Sequence, residues 1–205
     1  MTTGVFITFE GGDGAGKTTQ VNLLAQYLES LGREVIITRE PGGTQLGATL
    51  RQLVQHGEEI SARTEALLYA ADRAHHVASL IRPALTSGAV VISDRYLDSS
   101  VAYQGAGRDL GEQWIADLSY WATEDLNPDL TILLDLDLEQ RAARLAGELD
   151  RIEAAPPEFH ALTRAAFLRI AEKNPQRVAV VNAGGEITDV HEQIVAVLAE
   201  RLELL

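Results

Sequence analysis

Five short apolar runs, each separated from the next by helical patterns, constrain the fold of this chain more than any other feature. The runs are rich in β-branched residues and nearly continuous in apolar character, which is typical of strands covered on both faces. They lie at residues 5–9, 35–38, 89–93, 130–136 and 178–181. Helical patterns lie at 17–31, 45–56, 61–80, 111–124, 138–146, 157–173 and 188–203. This alternation predicts an α/β fold with a mainly parallel, five-stranded sheet flanked by helices.

The chain is long enough for one core and shows no sign of a second. It has 205 residues, of which 46% are hydrophobic, and a length in this range favours a single domain. No internal repeat or low-complexity tract divides it. The least regular segment is 147–158, which is polar and reads as a loop rather than a linker. We therefore expect one domain over residues 1–205.

Composition excludes several classes of protein. No stretch of 18 apolar residues is present, so the chain is not expected to span a membrane or to have a membrane partner. The N-terminus, MTTGVFITFEGG, lacks the basic and long apolar regions of a secretory signal. The absence of cysteine excludes disulfides, thiolate catalysis and cysteine-ligated zinc. We expect a cytoplasmic protein.

The charge of the chain argues against an extended polyanion as partner. Its formal net charge is −13, and such a chain repels nucleic acid and anionic membranes. Residues 1–100 carry 8 basic and 11 acidic side chains, whereas 101–205 carry 9 and 19. Surface charges are screened beyond about 10 Å at ordinary salt. A small anion can therefore still bind a local cluster of cations in the first half of the chain.

A phosphate-binding motif follows the first predicted strand and precedes the first predicted helix. Residues 11–18, GGDGAGKT, match the pattern G-x-x-x-x-G-K-[ST], and the strand–loop–helix context strengthens the match. Glycines let backbone N–H groups turn toward phosphate oxygens, and the helix N-terminus favours negative charge. Lys17 is suited to reach the β- and γ-phosphates, and the Thr18 hydroxyl to ligate Mg²⁺. The motif predicts a nucleoside triphosphate with magnesium, but it leaves a GTPase switch, an ATPase motor and a small-molecule kinase open.

Arginines downstream of the motif point to a second phosphate. Arg39 and Arg95 follow the second and third predicted strands, and Arg73 lies in a helical segment. Ligands of parallel sheets bind at the carboxyl ends of the strands, so Arg39 and Arg95 are expected at the same crevice as the phosphate loop. Guanidinium groups bind phosphate with a planar fork. Asp94 ends a buried strand and is a candidate Mg²⁺ carboxylate.

Together these segments resemble the thymidylate kinase family, whose members phosphorylate dTMP with ATP. The resemblance is carried by FEGGDGAGKTT, TREPGGT, the YAADR helix, SDRYLDSSVAYQG and GELDRIE, which run from residue 9 to about residue 153. It implies the P-loop nucleoside monophosphate kinase fold, with 147–158 as a short lid. It also implies a cytoplasmic homodimer with dTMP and ATP as its small-molecule substrates and Mg²⁺ as cofactor.

The resemblance assigns a role to each matching position. The ATP site comprises Gly11, Gly12, Asp13, Gly14, Ala15, Gly16, Lys17, Thr18, Thr19 and, beside the adenine, Arg141. Arg39 and Arg95 would hold the dTMP phosphate, and Asp13 would approach the sugar 3′-OH. Tyr69 would stack on thymine and Tyr103 would disfavour ribonucleotides. Arg73 would bond the base, with Ser99, Ser100 and Gln104 lining its pocket. An aromatic face with a few polar groups is a sound way to select one base.

The lid is expected to supply positive charge for the transfer. Some family members carry an arginine in the phosphate loop, but this chain has Gly14 there, so Lys17 is the only cation of the loop. We expect Arg151 to serve instead, with Arg144 as the second candidate. Ala142 and Ala146 stand where relatives are often basic, which leaves the charge of the lid reduced.

Three other functions compete with this interpretation. Another phosphate-loop kinase, acting on a different nucleotide, a nucleoside or a hydroxy acid, would lack the DRY…AYQG block. A GTP-binding switch would need an N-K-x-D motif, and the only lysines, Lys17 and Lys173, form none. A nucleic-acid-stimulated ATPase is disfavoured by the charge of −13.

Overall fold

The structure, a computed structural model, describes residues 4–145 and 150–202 and places one parallel sheet between two layers of helices. The strands are β1 Val5–Glu10, β2 Val35–Arg39, β3 Val90–Asp94, β4 Leu130–Asp135 and β5 Val178–Asn182. The helices are α1 Lys17–Ser30, α2 Gln45–His56, α3 Ala62–His76, α4 Arg82–Ser87, α5 Leu97–Ser100, α6 Glu112–Thr123, α7 Leu138–Arg144, α8 Pro157–Lys173 and α9 Ile187–Arg201. π-Helical turns at Val77–Ile81 and Val101–Gly107 extend α3 and α5.

The sheet order brings the ends of β1, β2 and β3 to one edge. The strands lie in the order β2-β3-β1-β4-β5, and all neighbours are parallel. Asp94 of β3 stands level with Phe9 of β1 and with Arg39 of β2. β2 and β3 lie on one side of β1, and β4 and β5 lie on the other. A crevice forms at the carboxyl end of β1, where such sheets bind ligands.

The sheet is apolar on both faces, as its runs predict. On one face Ile7, Phe9 and Ile132 pack with Leu24 of α1 and Ile194 of α9. The other face is covered in two parts: Phe6 and Val91 pack with Tyr96 and the turn after α3, and Leu133 packs with Tyr103, Phe159 and Phe167. Full burial of such side chains stabilises the fold by roughly 1.5–3 kcal/mol each.

The predicted α/β class and five-stranded parallel sheet are confirmed, while several helix boundaries differ. The first helix ends at Ser30, so Leu31 is 46% exposed rather than part of the buried stripe. The pattern at 61–80 is not one α-helix, because α3 ends at His76. The helical segments at 82–87 and 97–107 were not predicted. Residue 146, and residue 203 of the last predicted helix, lie outside the described residues. Within the described ranges, no helix combines the length and the hydropathy needed to cross a membrane.

Candidate active site

The phosphate loop joins β1 to α1 through backbone that only glycine adopts easily. Gly11 has φ 129°, and a Cβ there would lie 2.3 Å from the Leu134 carbonyl oxygen. Gly16 has φ 86° and precedes the first turn of α1. These two positions turn the chain sharply enough to bring the N-terminus of α1 to the end of β1. The loop therefore presents backbone donors and a helix N-terminus to the crevice.

Lys17 lies folded over the loop that precedes it. Its Nζ donates to the carbonyl oxygens of Gly11, at 3.2 Å, and of Gly12, at 2.8 Å. Burial and the neighbouring Arg95 lower the pKa of Lys17 to about 8, against the opposing effect of Asp94 and Asp13. An ammonium group with a lowered pKa gains from an anionic ligand, because added negative charge stabilises its protonated form.

Thr18 and Asp94 form a pair of oxygen ligands at the mouth of the loop. The Thr18 hydroxyl donates to Asp94 Oδ2 at 2.8 Å. Both groups are hard oxygen donors, and Mg²⁺ commonly takes one or two protein oxygens and completes its shell with substrate phosphates and water. In the described part of the chain, no three His, Asp or Glu side chains come together as an all-protein metal site. The donor set therefore fits a nucleotide-bound Mg²⁺.

Arg95 connects the phosphate loop to the segment after β3. Its Nη1 donates to the Gly11 carbonyl and to Ser99 Oγ, each at 3.0 Å, and its Nη2 pairs with Asp13. The Tyr103 hydroxyl donates to Asp13 Oδ2 at 3.0 Å. Burial acts to raise the pKa of Asp13, but Arg95 and Lys17 outweigh it and hold that pKa well below its usual range. Asp13 is therefore an ionised acceptor at neutral pH.

Glu10 supports this arrangement from beneath the crevice and was not predicted. Its carboxylate accepts hydrogen bonds from Tyr96 N at 2.8 Å, Ser99 N at 3.2 Å and Ser99 Oγ at 2.5 Å. Arg95 has φ 72°, which is unusual for a residue with a side chain. Burial and then the Asp98 carboxylate raise the pKa of Glu10 to about 8. Glu10 thus fixes the backbone that follows Arg95.

Arg39 and Arg51 bring two further cations to the same crevice. Both line it, and a Cβ at Gly42 would lie 3.2 Å from Arg51 Cδ and 4.0 Å from Arg39 Nε. Arg51 Nη1 donates to the Pro41 carbonyl at 3.0 Å. Burial and then Arg39 lower the pKa of Arg51. Two adjacent guanidinium groups favour an anion between them. Arg51 was missed because a lone arginine inside a helical pattern carries no signal in one sequence.

Arg73 also lines the crevice, but most of its donors are bound to protein groups. Nε donates to Glu40 Oε2 at 2.7 Å, and Nη2 donates to Ser100 Oγ at 3.0 Å and to the Tyr96 carbonyl at 3.2 Å. Its side chain is 2% exposed. Glu40, a second carboxylate that was not predicted, also contacts His76 Nδ1 at 2.9 Å. The guanidinium is therefore held rigidly at the wall of the crevice.

The other residues that the sequence predicts for a base pocket line the same crevice as Arg73. Tyr69, Ser99, Ser100, Tyr103 and Gln104 all line the crevice. Gln104 Nε2 donates to Glu65 Oε1 at 2.9 Å, which fixes the orientation of its amide. Burial and then Glu65 raise the pKa of Tyr69, so its hydroxyl stays neutral at physiological pH. The five side chains bring two aromatic rings and three polar groups to the crevice.

The predicted lid arginines are in different places. Arg144, at the end of α7, lines the crevice. A Cβ added at Gly14 would lie 3.7 Å from the Cβ of Arg144. Arg151 instead pairs with Glu65 at 2.7 Å and donates to the Val54 carbonyl. Arg141 lies beside Gly12 and within 3.3 Å of His160 Nε2. Residues 146–149, which include the first part of the predicted lid, lie outside the described residues.

The crevice can hold two phosphate groups at once. It encloses about 410 Å³, within the range of small-ligand sites. One set of lining residues is Lys17 with Asp13, Gly14 and Gly16 of the phosphate loop, and a second set is Arg39, Arg51 and Arg95. Thr18 and Asp94 line the crevice as well. An enzyme that only hydrolyses a triphosphate has no need of the second set, whereas transfer between two phosphates requires both.

Known proteins match this chain over most of its length. The sequence model of the family described as "Thymidylate kinase" matches residues 9–194. A protein named thymidylate kinase from Leifsonia xyli subsp. xyli (strain CTCB07) is 57% identical over 195 residues, which cover 93% of this chain and 92% of that protein. One from Clavibacter sepedonicus is 58% identical over 89% of this chain and 88% of that protein. The crystal structure of thymidylate kinase from Ehrlichia chaffeensis is 36% identical, covers 96% of this chain and 99% of that one, and gives a TM-score of 0.82.

Proposed function

The chain belongs to the thymidylate kinase family, and from this premise we propose how its crevice phosphorylates dTMP. The reaction transfers the γ-phosphoryl group of ATP to dTMP and yields dTDP on the way to dTTP. One observation carries the assignment of the site: a phosphate loop and a separate set of three arginines face a single crevice. That arrangement is suited to a donor and an acceptor that both carry phosphate.

ATP is assigned to the phosphate loop and the N-terminus of α1. The backbone of residues 11–16 and the side chains of Lys17, Thr18 and Thr19 bind its phosphates, and Arg141 flanks the adenine. Thr18 and Asp94 hold Mg²⁺, in keeping with their mutual contact of 2.8 Å. When bound, Mg²⁺ supplies positive charge to the transferring phosphoryl group. That this cation is Mg²⁺ and not another divalent metal ion is part of the proposal.

The acceptor dTMP is assigned to the other half of the crevice. Arg39, Arg51 and Arg95 bind its phosphate, since all three line the crevice and Arg95 also contacts the phosphate loop. Asp13 accepts a hydrogen bond from the sugar 3′-OH, for which its depressed pKa keeps it ionised. Tyr103 crowds the sugar C2′ position.

The thymine base is assigned to the pocket beside Arg73. Tyr69 stacks on the ring and Arg73 donates to a base oxygen, while Ser99, Ser100 and Gln104 close the pocket. Most donors of Arg73 are already bound to Glu40, Ser100 and the Tyr96 carbonyl. Little side-chain freedom is therefore lost when the base binds, which favours affinity.

Catalysis then rests on alignment and charge neutralisation. The attacking group is a phosphate oxygen of dTMP, which is ionised at neutral pH, so no strong general base is needed. Lys17 and Arg95 neutralise charge at the transferring group, and the lid adds Arg144 and Arg151 as candidates. Arg144 is the better placed of the two, because it lines the crevice and Arg151 is paired with Glu65.

A substrate panel tests the acceptor assignment. ADP formation is measured with dTMP, dUMP, dCMP, GMP and shikimate at equal concentrations, in the presence of ATP and Mg²⁺ or Ca²⁺. We expect dTMP to give the highest kcat/KM by about 10-fold or more, since dCMP, GMP and shikimate lack its hydrogen-bonding edge and dUMP lacks its methyl group. Equal rates for the five acceptors would contradict the base-pocket assignment.

We also propose that the enzyme is a cytoplasmic homodimer that pairs through α3 and α6. These helices pack side by side, and Leu67 on α3 is 58% exposed, with Trp114 and Trp121 on α6 76% and 80% exposed. The two tryptophans are seven residues apart and so share a helix face. Exposed tryptophans on one face favour an isologous contact with a second copy. The cytoplasm is where both nucleotide substrates are made.

Sedimentation analysis tests the dimer. Trp121→Glu is expected to shift the mass from two chains to one, because a charge is then buried at the contact. Leu162→Glu, at an exposed leucine on α8 outside this face, serves as the matched control and leaves the mass unchanged. A monomeric wild type would contradict the proposal.

A further inference from the structure

Hydrogen bonds within the described end of the predicted lid, which begins at Asp150, hold it in a single turn. Asp150 Oδ1 accepts hydrogen bonds from the backbone N–H groups of Ile152 and Glu153, both at 2.8 Å. Glu153 Oε2 accepts in turn from the Asp150 N–H at 3.0 Å. This reciprocal pair is a capping box, which stabilises a single helical turn locally. We call residues 150–155 the lid turn.

The lid turn is attached at the acceptor half of the crevice. Ile152 is 6% exposed and packs in the cluster that contains Tyr103 and Phe159. Asp150, Ile152 and Glu153 line the crevice. Arg151 lies between them in sequence, but its side chain contacts Glu65 and the Val54 carbonyl.

Arg151 joins the lid turn to two other helices. Its Nη2 lies 2.7 Å from Glu65 Oε2 on α3, and Nε and Nη2 donate to the Val54 carbonyl at 3.0 and 2.7 Å. Val54 is in the last turn of α2, where carbonyl oxygens lack helical partners and attract cations. The guanidinium therefore binds a carboxylate and a helix C-terminus at the same time.

Glu65 connects this contact to the base pocket. It is 1% exposed and also accepts from Gln104 Nε2 at 2.9 Å and from Arg108 Nε at 3.3 Å. Tyr69 lies one turn further along the same helix. A buried carboxylate is stabilised by the cations around it, and the attraction is stronger for the nearer cation, Arg151 at 2.7 Å, than for Arg108 at 3.3 Å. The lid turn and the base pocket thus depend on one carboxylate.

We propose that Glu65 is a positioning residue for phosphoryl transfer. It holds Arg151, and through Arg151 it keeps the lid turn against the acceptor pocket, where the turn excludes water from the transferring group. Arg151 is then an anchor of the lid, and Arg144 is the lid arginine that faces the phosphates. This inference rests on the proposed acceptor site.

Hydrogen exchange without nucleotide tests the contact itself. Glu65→Gln is expected to increase exchange of the lid-turn amides about 10-fold or more, because the charged partner of Arg151 is lost. Arg108→Gln is the matched control: it removes a different cation from the same carboxylate and leaves lid-turn exchange within about 3-fold of wild type. Unchanged exchange in Glu65→Gln would overturn the proposal.

Kinetics test whether the contact positions the reaction. Glu65→Gln and Arg151→Gln should each lower kcat about 10-fold or more, and the double variant no further, because both remove one interaction. Both should raise the fraction of ATP hydrolysed without dTDP formation, which loss of stability alone would not do. An unchanged or higher kcat in Glu65→Gln, with a lower kcat in Arg151→Gln, would show that Arg151 acts on the phosphates and would overturn the proposal.

Two further comparisons apply if Glu65→Gln does not fold or if the wild type does not phosphorylate dTMP. If Glu65→Gln does not fold, Arg151→Gln and Arg151→Lys are compared instead. Lysine cannot bind the carboxylate and the carbonyl with one planar group, so it should restore only part of the exchange protection and of kcat. A kcat loss in Arg151→Gln with wild-type exchange would contradict anchoring. If wild type fails to phosphorylate dTMP, the acceptor assignment fails, while the exchange comparison still decides the contact.

Discussion

The two halves of the crevice are built in different ways. The donor half consists of backbone from one continuous segment, residues 11–18, with Lys17 folded onto its own loop. The acceptor half consists of side chains from β1, β2, α2, α3 and the segment after β3. Three buried carboxylates fix the positions of arginines at this half or next to it. Glu10 supports the Arg95 turn, Glu40 binds Arg73, and Glu65 binds Arg151. In the proposed assignment, binding of the donor phosphates is thus local in sequence, whereas acceptor binding depends on long-range pairs of charges.

The largest effect is expected from the donor half. Lys17→Ala should lower kcat about 10³-fold with every acceptor, because a preorganised cation at the transferring group is lost. The measurement is steady-state ADP formation with dTMP and with dUMP. A loss confined to dTMP would mean that Lys17 serves the acceptor, and the division between the halves would not hold.

The next largest effect is expected at Arg144. Arg144→Ala should lower kcat about 10²-fold with little change in the KM for dTMP, since it removes a transition-state contact. Arg63→Ala, an exposed arginine at the start of α3, serves as a control for loss of surface charge. A wild-type kcat in Arg144→Ala would return the role of phosphate contact to Arg151.

A buried carboxyl group next to Arg73 on α3, that of Asp72, predicts a pH dependence of stability. Burial and then Glu40 raise the pKa of Asp72 to about 6 from its ordinary value of 3.8. For an acid whose pKa is raised by folding, the folded state is penalised above that pKa, and the penalty disappears as pH falls below the unfolded value. Asp72→Asn should therefore increase the free energy of unfolding by about 2 kcal/mol at pH 8 and by little at pH 4. Urea denaturation at both pH values measures this, and an equal effect at the two would contradict it.

The smallest effect concerns the sugar. Tyr103→Ala should improve the kcat/KM of ribo-TMP relative to dTMP about 10-fold, because the ring no longer crowds C2′. Tyr103→Phe is the matched control: it removes the hydrogen bond to Asp13 but keeps the ring against Phe159 and Phe167. Ribose should remain disfavoured in this control. Equal discrimination in wild type and Tyr103→Ala would remove this role.

The sequence predicts a feature correctly where the residues that produce the feature are close together in the chain. The strands are readable because both faces are buried, and the phosphate loop because its glycines, lysine and helix start are contiguous. The helical segment at 97–107 was missed because its serines and glycines weaken a helical pattern, and burial against α8 and α6 compensates. Glu10, Glu40, Glu65 and Arg51 were missed because their partners are supplied by the fold: Glu10 meets Ser99 across 89 residues.

The parallel register has a consequence for how much variation the site tolerates. Phe9, Arg39 and Asp94 stand at one level of three neighbouring strands, and interstrand hydrogen bonds set that level. A slip of one residue would displace a group by about 3.3 Å, which is larger than the tolerance of in-line transfer. A helix that carries no residue of the crevice, such as α9, can therefore change in sequence or length without moving donor against acceptor. The sheet acts as the reference frame of the reaction, and evolution or design is free to rebuild the helices that do not reach the crevice.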